Sequence, residues 1–341
     1  MQIVWFALKR IAWGLVVLVA LSLLIFVIVR VVPGDPVRAA LGARAPQSTV
    51  VEMRAQMGLD QPLYVQYARW LQGLPQGRLG QSLTTRRDVA ADIVQFFPAT
   101  LELALFAGVL MLGGGVLLGV LSARSENGWV DNAVRIFSYM GVVTPAFVWA
   151  ILLELIFAYW LQWLPVSGQL SMGVQQPPLI TGMTVLDALL SARWQTAWDG
   201  FTHLVLPAVS LAMAGLSQEA RITRATMSDN IKKDYVLAQR AYGVPDRRIL
   251  FRYLLKPSLI PTISIFGLDF ASLFANAFLV ELVFNWPGLS RYGTNAILAK
   301  DVNAVSGVVI VLGVTFVVVN ILVDVVIGLL DPRARLGRES A

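Results

Sequence analysis

The sequence predicts an all-α polytopic membrane protein of about six transmembrane helices, forming a single domain over residues 1–341. Two observations carry that expectation. Apolar residues make up 57% of the 341 and charged residues only 14%, with a mean hydropathy of +0.67, and the Lys and Arg residues gather beside the ends of apolar runs. One soluble core of this length does not bury so much apolar surface, so the bilayer must act as solvent. A helical span needs roughly 20 mostly apolar residues to cross about 30 Å of hydrocarbon.

The first run is Ile11 to Val29. Lys9 and Arg10 precede it and small residues stand near Ala39 and Ala40, as at a secretory signal. Its 19 residues exceed the usual signal core of about 7 to 15, so an uncleaved anchor is expected. Residues 30–97 follow as an outer-face insertion, opened by the turn formers Pro33, Gly34 and Pro36 and carrying Tyr64, Tyr67 and Trp70. It is too long for a mere connector. A brace lying on the outer leaflet and a docking surface are both open readings.

Further spans are expected at Ala99 to Leu121, Ile136 to Trp160, Ile263 to Phe284 and Val305 to Leu330, with a short one at Leu204 to Leu216. Charge decides the short one. With the amino terminus inside and six crossings, sixteen Lys and Arg fall in the inner segments and three, Arg193, Arg291 and Lys300, in the two short outer loops, as the positive-inside rule requires. Without a helix near His203 to Gln218 that asymmetry collapses. Pro98, Pro207 and Pro261 each precede an apolar run, where a missing N–H suits a helix start. The remaining loops are then 161–203 outside and 219–259 inside, and both termini are expected to be cytoplasmic.

Composition removes several chemistries. The chain has no Cys and one His, which excludes thiolate nucleophiles and Cys- or His-rich metal sites, so no metal ligands are assigned. No His-Glu-x-x-His or Gly-x-Ser-x-Gly supports an intramembrane enzyme. No paired repeats of broken helices suggest a self-sufficient secondary transporter. The net charge of +6 is spent on topology rather than on a nucleic-acid footprint. No Gly-x-x-x-x-Gly-Lys-[Ser/Thr] is present, so this chain carries no cofactor site and any ATP and Mg must bind another polypeptide.

The most informative inner segment runs Asp234-Tyr-Val-Leu-Ala-Gln-Arg-Ala-Tyr-Gly243-Val-Pro245. Asp234 reads as an N-cap, Val236, Leu237, Ala238 and Ala241 as a short apolar face, and Gly243 with Pro245 as a stop. A helix this short is marginal alone in water. It needs either a partner protein or the headgroup surface, where its cations would face anionic lipid.

The Ala238-Gln-Arg-Ala-Tyr-Gly243 core resembles the "EAA" loop of binding-protein-dependent ABC importer permeases, with a degenerate Glu-Ala-Ala. Other segments resemble the first-subunit type of dipeptide/oligopeptide ABC transporter permease. They are Val31 to Pro36, Met57 to Pro62 with Gln66-Tyr67, Pro98-Ala-Thr-Leu-Glu-Leu103, Leu164 to Gly168, Glu281-Leu-Val-Phe-Asn-Trp-Pro-Gly288, and Asn320 to Asp324 with Leu330 to Arg333. The resemblance spans residues 5 to 335 or so. It implies a type I ABC importer permease fold, a homologous second permease subunit, two ATPase subunits and a substrate-binding protein seated on the outer insertion. Asp234, Tyr235, Leu237, Ala238, Ala241 and Gly243 would form the helix that docks on the ATPase. The loop 161–203 resembles one typical of peptide members, so di- or oligopeptides are the expected substrate; nickel, opine or glutathione-like ligands are the alternative.

A carboxylate at mid-bilayer costs about 2.5 to 3.5 kcal/mol on insertion scales, so each asks for a partner or a watery cavity. Glu154, Asp269 and Asp324 lie inside apolar runs, with Asn276 and Asn320 nearby. Asp324 matches an Asp of the family and is read as structural. Glu154, Asp269 and Asn276 depart from the residues expected by that resemblance. Asp269 and Asn276, seven residues apart on one helix face, either line a translocation path that favours a cationic group or pack against the partner permease. His203 is expected at a helix boundary, and Trp160, Trp163 and Trp286 as interfacial anchors.

Overall fold

A computed structural model describes residues 2–31, 46–56 and 60–330. The family-like segments at Val31 to Pro36, Met57 to Leu59 and Asp331 to Arg333 therefore lie wholly or largely outside the described residues. Those described are helical with no strand; Gln81 and Asp88 form one isolated antiparallel bridge.

In chain order, α1 is Gln2–Val31, α2 Gln47–Gln56, α3 Leu63–Gly73, α4 Val89–Arg124, α5 Trp129–Val143 and α6 Ala146–Leu153, the last continued by a π-helical stretch, Glu154–Trp160. Then come α7 Thr184–Leu190, α8 Trp194–Ile231, α9 Asp234–Ala241, α10 Asp246–Val283, α11 Leu289–Leu298 and α12 Val302–Leu330. Five of these helices are long and apolar enough to cross a membrane, or six if α5 and α6 count as one broken span.

The broken span corrects the expectation of one helix over Ile136 to Trp160. The chain bends by 112° between α5 and α6. Thr144 is extended, with φ −87° and ψ 122°, as sterics impose on a residue preceding proline, and Pro145 caps α6. The two halves meet α8 at successive levels. Asp131 binds Arg224, Gly141 abuts Ser217, and Ala150 and Ala158 join the cluster of Leu204 and Leu206.

Three prolines depart from their expected role. Pro98, Pro207 and Pro261 lie inside α4, α8 and α10, not at their starts, because each helix extends beyond its apolar run through polar turns. The bounds drawn for the loops move for the same reason. The insertion 30–97 ends inside α4, the outer loop 161–203 ends inside α8, and the segment 219–259 begins inside α8 and ends inside α10. His203 is consequently not a boundary residue; it is buried within α8, and its Nδ1 donates to the Asp199 carbonyl at 2.8 Å. Trp286 is not an interfacial anchor either: it is 1% exposed and its Nε1 donates to the Ala99 carbonyl at 3.0 Å. Trp160 and Trp163 do stay exposed.

α4 and α8 form the centre. Gly115 and Gly119, four residues apart on α4, let the backbones close: a Cβ on Gly119 would stand 2.8 Å from the Ala220 carbonyl oxygen and one on Gly115 2.9 Å from that of Leu216. Small residues spaced four apart drive helix packing where lipid removes the hydrophobic force between helices. Around this seam Leu103, Met111, Leu204, Leu211 and Phe284 make the largest core cluster. On one flank α1 leans on α12, with Leu21 against Gly313, and α3 packs on α1 through Tyr67, whose ring meets Phe26 and whose hydroxyl lies 2.9 Å from Ser22 Oγ.

Buried carboxylates staple the end where α4 begins. Glu281 accepts from Thr100 Oγ1 at 2.6 Å and the Arg291 N–H at 3.1 Å, Glu102 accepts from the N–H groups of Val185 and Leu186, and Asp301 accepts from Ser82 Oγ and the Thr84 N–H. Asp187 binds the loop ahead of α7. Burial opposes its ionisation, but bonds from Thr181 Oγ1 and the N–H groups of Thr181, Ile180 and Gly182 outweigh it and hold the carboxyl below its ordinary 3.8. A depressed carboxyl stabilises the fold above the unfolded value and loses that contribution as pH falls through the folded one. Protection against amide exchange across residues 180–190, taken relative to the intrinsic rate, is accordingly expected to fall only below pH 3.8, and Asp187→Asn to lower it at neutral pH.

Candidate functional site

Where α8 and α10 cross beside the break between α5 and α6, a cavity of about 160 Å³ is lined by Met111, Val142, Leu211, Gln218, Asp269 and Asn276, among others. Asp269 and Asn276 thus share one wall, with Ser272 between them. Glu154 does not line it; that residue sits half-buried in the π-helical stretch after α6. Asp324 lies in α12, also outside the lining. One oxygen of Asp269 is buried without a hydrogen-bond partner. So are both carboxylate oxygens of Glu219, which is 0% exposed and pressed against Gly115. No ion pair reaches either acid among the described residues. The unpartnered oxygen of Asp269 favours a donor or cation that enters the cavity, whose lining does not include Glu219.

Below the cavity α8 and α10 are joined by polar pairs. Asn230 Nδ2 donates to Ser258 Oγ at 2.8 Å, Thr226 Oγ1 to the Ser258 carbonyl at 3.2 Å, and the hydroxyls of Thr223 and Thr262 lie 3.0 Å apart. These bonds lock the two helices over about two turns, ending one turn short of Gln218.

The same two helices are bridged at their ends by α9. Asp234 is its first residue, flanked by Lys233 at the cap position, so Asp234 is not the N-cap; its charge instead faces the positive end of the helix dipole. Gly243 adopts φ +72°, the left-handed closure that favours glycine. Val236 is 0% exposed and packs with Val120, Met227, Ile249 and Leu254. The helix expected to need a partner protein or the headgroup surface is therefore held in part by this chain itself: one residue pins it to the ends of α4, α8 and α10. Its other face stays uncovered. Tyr235, Leu237 and Tyr242 are 39%, 56% and 85% exposed, and Asp234, Ala238, Ala241 and Gly243 are exposed beside them. Arg247, Arg248, Arg252 and Lys256 ring a shallow basic hollow around Phe251 next to it.

Glu219 and the α4 glycine seam were not singled out from sequence. Glu219 fell just outside the short apolar run taken for the fourth span, and Gly115-x-x-x-Gly119 was the available signal for the seam.

Comparison with known proteins covers almost the whole chain. The family model described as binding-protein-dependent transport system inner membrane component matches residues 115–336, and its amino-terminal companion matches residues 3–104. The chain is similar to a probable D,D-dipeptide transport system permease protein of Escherichia coli K12, 40% identical over 334 residues and covering 98% of each chain. It is also similar to a di/tripeptide transport system permease protein of Pseudomonas aeruginosa, 38% identical over 92% of this chain and 94% of the relative. A dipeptide transport system permease protein of Alkalihalophilus pseudofirmus is 31% identical over 97% and 99% of the two chains.

Proposed function

Because this multi-pass chain belongs to the family of binding-protein-dependent transport system inner membrane components, we propose that it is the permease subunit of an ATP-driven importer of di- or oligopeptides. The observation that carries this reading is α9, a two-turn helix pinned by Val236 at the junction of α4, α8 and α10 with its remaining face free. A separate ATPase seated on that face moves α9 as a rigid handle. Motion passes to α8 and α10, which the Asn230–Ser258 and Thr223–Thr262 pairs hold together, and so reaches the cavity one turn above. The chain performs no covalent step itself. A second permease of the same fold, two ATPases that bind ATP and Mg, and an external binding protein complete the machine, and α9 faces the cytoplasm together with both termini of a bacterial inner-membrane protein.

Reconstituting the full assembly in proteoliposomes tests this. Peptide uptake should need both ATP and the binding protein; uptake by this chain alone on an ion gradient would replace the reading by secondary transport. Within the cavity, Asp269 is the acceptor for a peptide's free amino terminus. A hydrogen bond to a charged group contributes about 1.5–3 kcal/mol, so Asp269→Asn should lower uptake of free-amino peptides by at least about tenfold while leaving amino-acetylated analogues unchanged. Uptake of both kinds of peptide unchanged from the wild type would remove the residue from recognition.

A further inference from the structure

We propose that the cleft between α5 and α8, at the end of the bundle that carries α9, binds the phosphate headgroup of an anionic phospholipid. The cleft encloses about 280 Å³ and is lined by Val134, Arg135, Ser138 and Tyr139 of α5 and by Ala220, Arg221 and Arg224 of α8. Its charge is not balanced from within. Arg224 is paired bidentately with Asp131, and that carboxylate is 0% exposed and fully engaged by Arg224, Ser122 Oγ and the Asn127 N–H. Arg221 reaches only the neutral Gln218 side chain, at 2.5 Å, and Arg135 makes no ion pair among the described residues. The nearby Glu126 is engaged by Lys232 at 3.8 Å. Two guanidiniums therefore face the cleft without a counter-charge.

A second, independent observation points to a ligand. Ser138, 4% exposed, lines the cleft, and its Oγ is buried with no hydrogen-bond partner. A hydroxyl in that position is a ready donor to a phosphate oxygen, and guanidinium is the side chain best matched to phosphate geometry.

Depth and shape identify the source of the phosphate. In α8 the apolar stretch 204–216 gives way to Arg221 and Arg224 about two to three turns before the helix ends at Ile231, the level at which basic side chains meet headgroups. From the cleft a stripe of exposed apolar residues runs along α5 toward mid-span: Ile136, Met140 and Val143, at 60%, 54% and 80% exposure and spaced four and three apart. A free phosphate has no use for that stripe; an acyl chain does.

Native mass spectrometry of the full-length chain in detergent, offered dioleoyl phosphatidylglycerol or dioleoyl phosphatidylcholine, tests the assignment. The anionic lipid should be retained preferentially. The double variant Arg135→Gln, Arg221→Gln, which leaves the Asp131–Arg224 pair intact, should weaken that retention by roughly fivefold per cation removed, hence about 25-fold, whereas Lys at both positions should preserve most of it. Retention of the anionic lipid equal to that of phosphatidylcholine, or unaltered by the Gln variant, would overturn the proposal. So would its displacement by millimolar glycerol 3-phosphate, which would mark a site for free phosphate. If the Gln variant instead lost only the companion permease on co-purification, with lipid retention unchanged, the cleft would belong to a protein interface and the lipid site would fall.

Discussion

Replacing Leu237 and Ala241 with Asp is expected to abolish uptake, by at least about 100-fold, while the chain still inserts and keeps its thermal stability. Both side chains are exposed on α9, so neither carboxylate disturbs the packing of this chain. In an assembly they would be desolvated against the ATPase, where an unpaired buried charge costs several kcal/mol and two or three central residues carry most of the binding energy. Val236→Asp provides the contrast. Val236 is 0% exposed within the cluster of Met227, Ile249 and Leu254, so the same charge there should lower stability even in the isolated chain. Co-purification with the ATPase and melting of the isolated chain separate the two. Wild-type uptake by the Leu237/Ala241 double variant would end the docking assignment, and melting of that variant at the temperature of Val236→Asp would assign the face to folding instead.

The different behaviour of these neighbours shows how much a sequence of this kind reveals. Five to six apolar helices were legible because the runs are long, a signal that averages over many residues. The short helix at Asp234 to Ala241 was legible because its stop needs glycine in a left-handed conformation at Gly243. Helix ends were not. α8 continues from the apolar Leu216 through polar turns to Ile231, held there by contacts such as Arg224 on Asp131 and Asn230 on Ser258, an effect of tertiary contact that hydropathy does not register. Ending the span too early hid Glu219, and starting it too late placed Pro207 at a helix start and cast His203 as a boundary residue. The break at Pro145 was readable through the restriction on Thr144, yet a run so apolar masked it. Likewise Trp286 carries the composition of an interfacial anchor and the position of a core residue; only the partner carbonyl of Ala99 distinguishes them.

Asp131→Asn should be strongly destabilising at the α9 end. The Asp131 carboxylate is fully buried, and it gathers Arg224 Nε and Nη2, Ser122 Oγ at 2.5 Å and the Asn127 N–H at 3.0 Å. Those donors come from α4, the α4–α5 turn and α8, so one side chain ties three segments. Asn keeps the shape, but it removes the charge and one acceptor, leaving the Arg224 guanidinium, 23% exposed, short of its partner. Breaking a buried pair from one side costs about 3–5 kcal/mol, and the partial exposure of Arg224 places the expectation near the lower figure, about 3 kcal/mol. Removing both charges should be far milder, because the penalty lies in the orphaned ion rather than in the lost attraction. Asp131→Asn with Arg224→Gln is therefore expected to recover more than half of the stability lost by Asp131→Asn alone, a coupling that a double-mutant cycle measures directly. Additive losses in that cycle would show that Asp131 acts through Ser122 and the turn, and that Arg224 is a bystander.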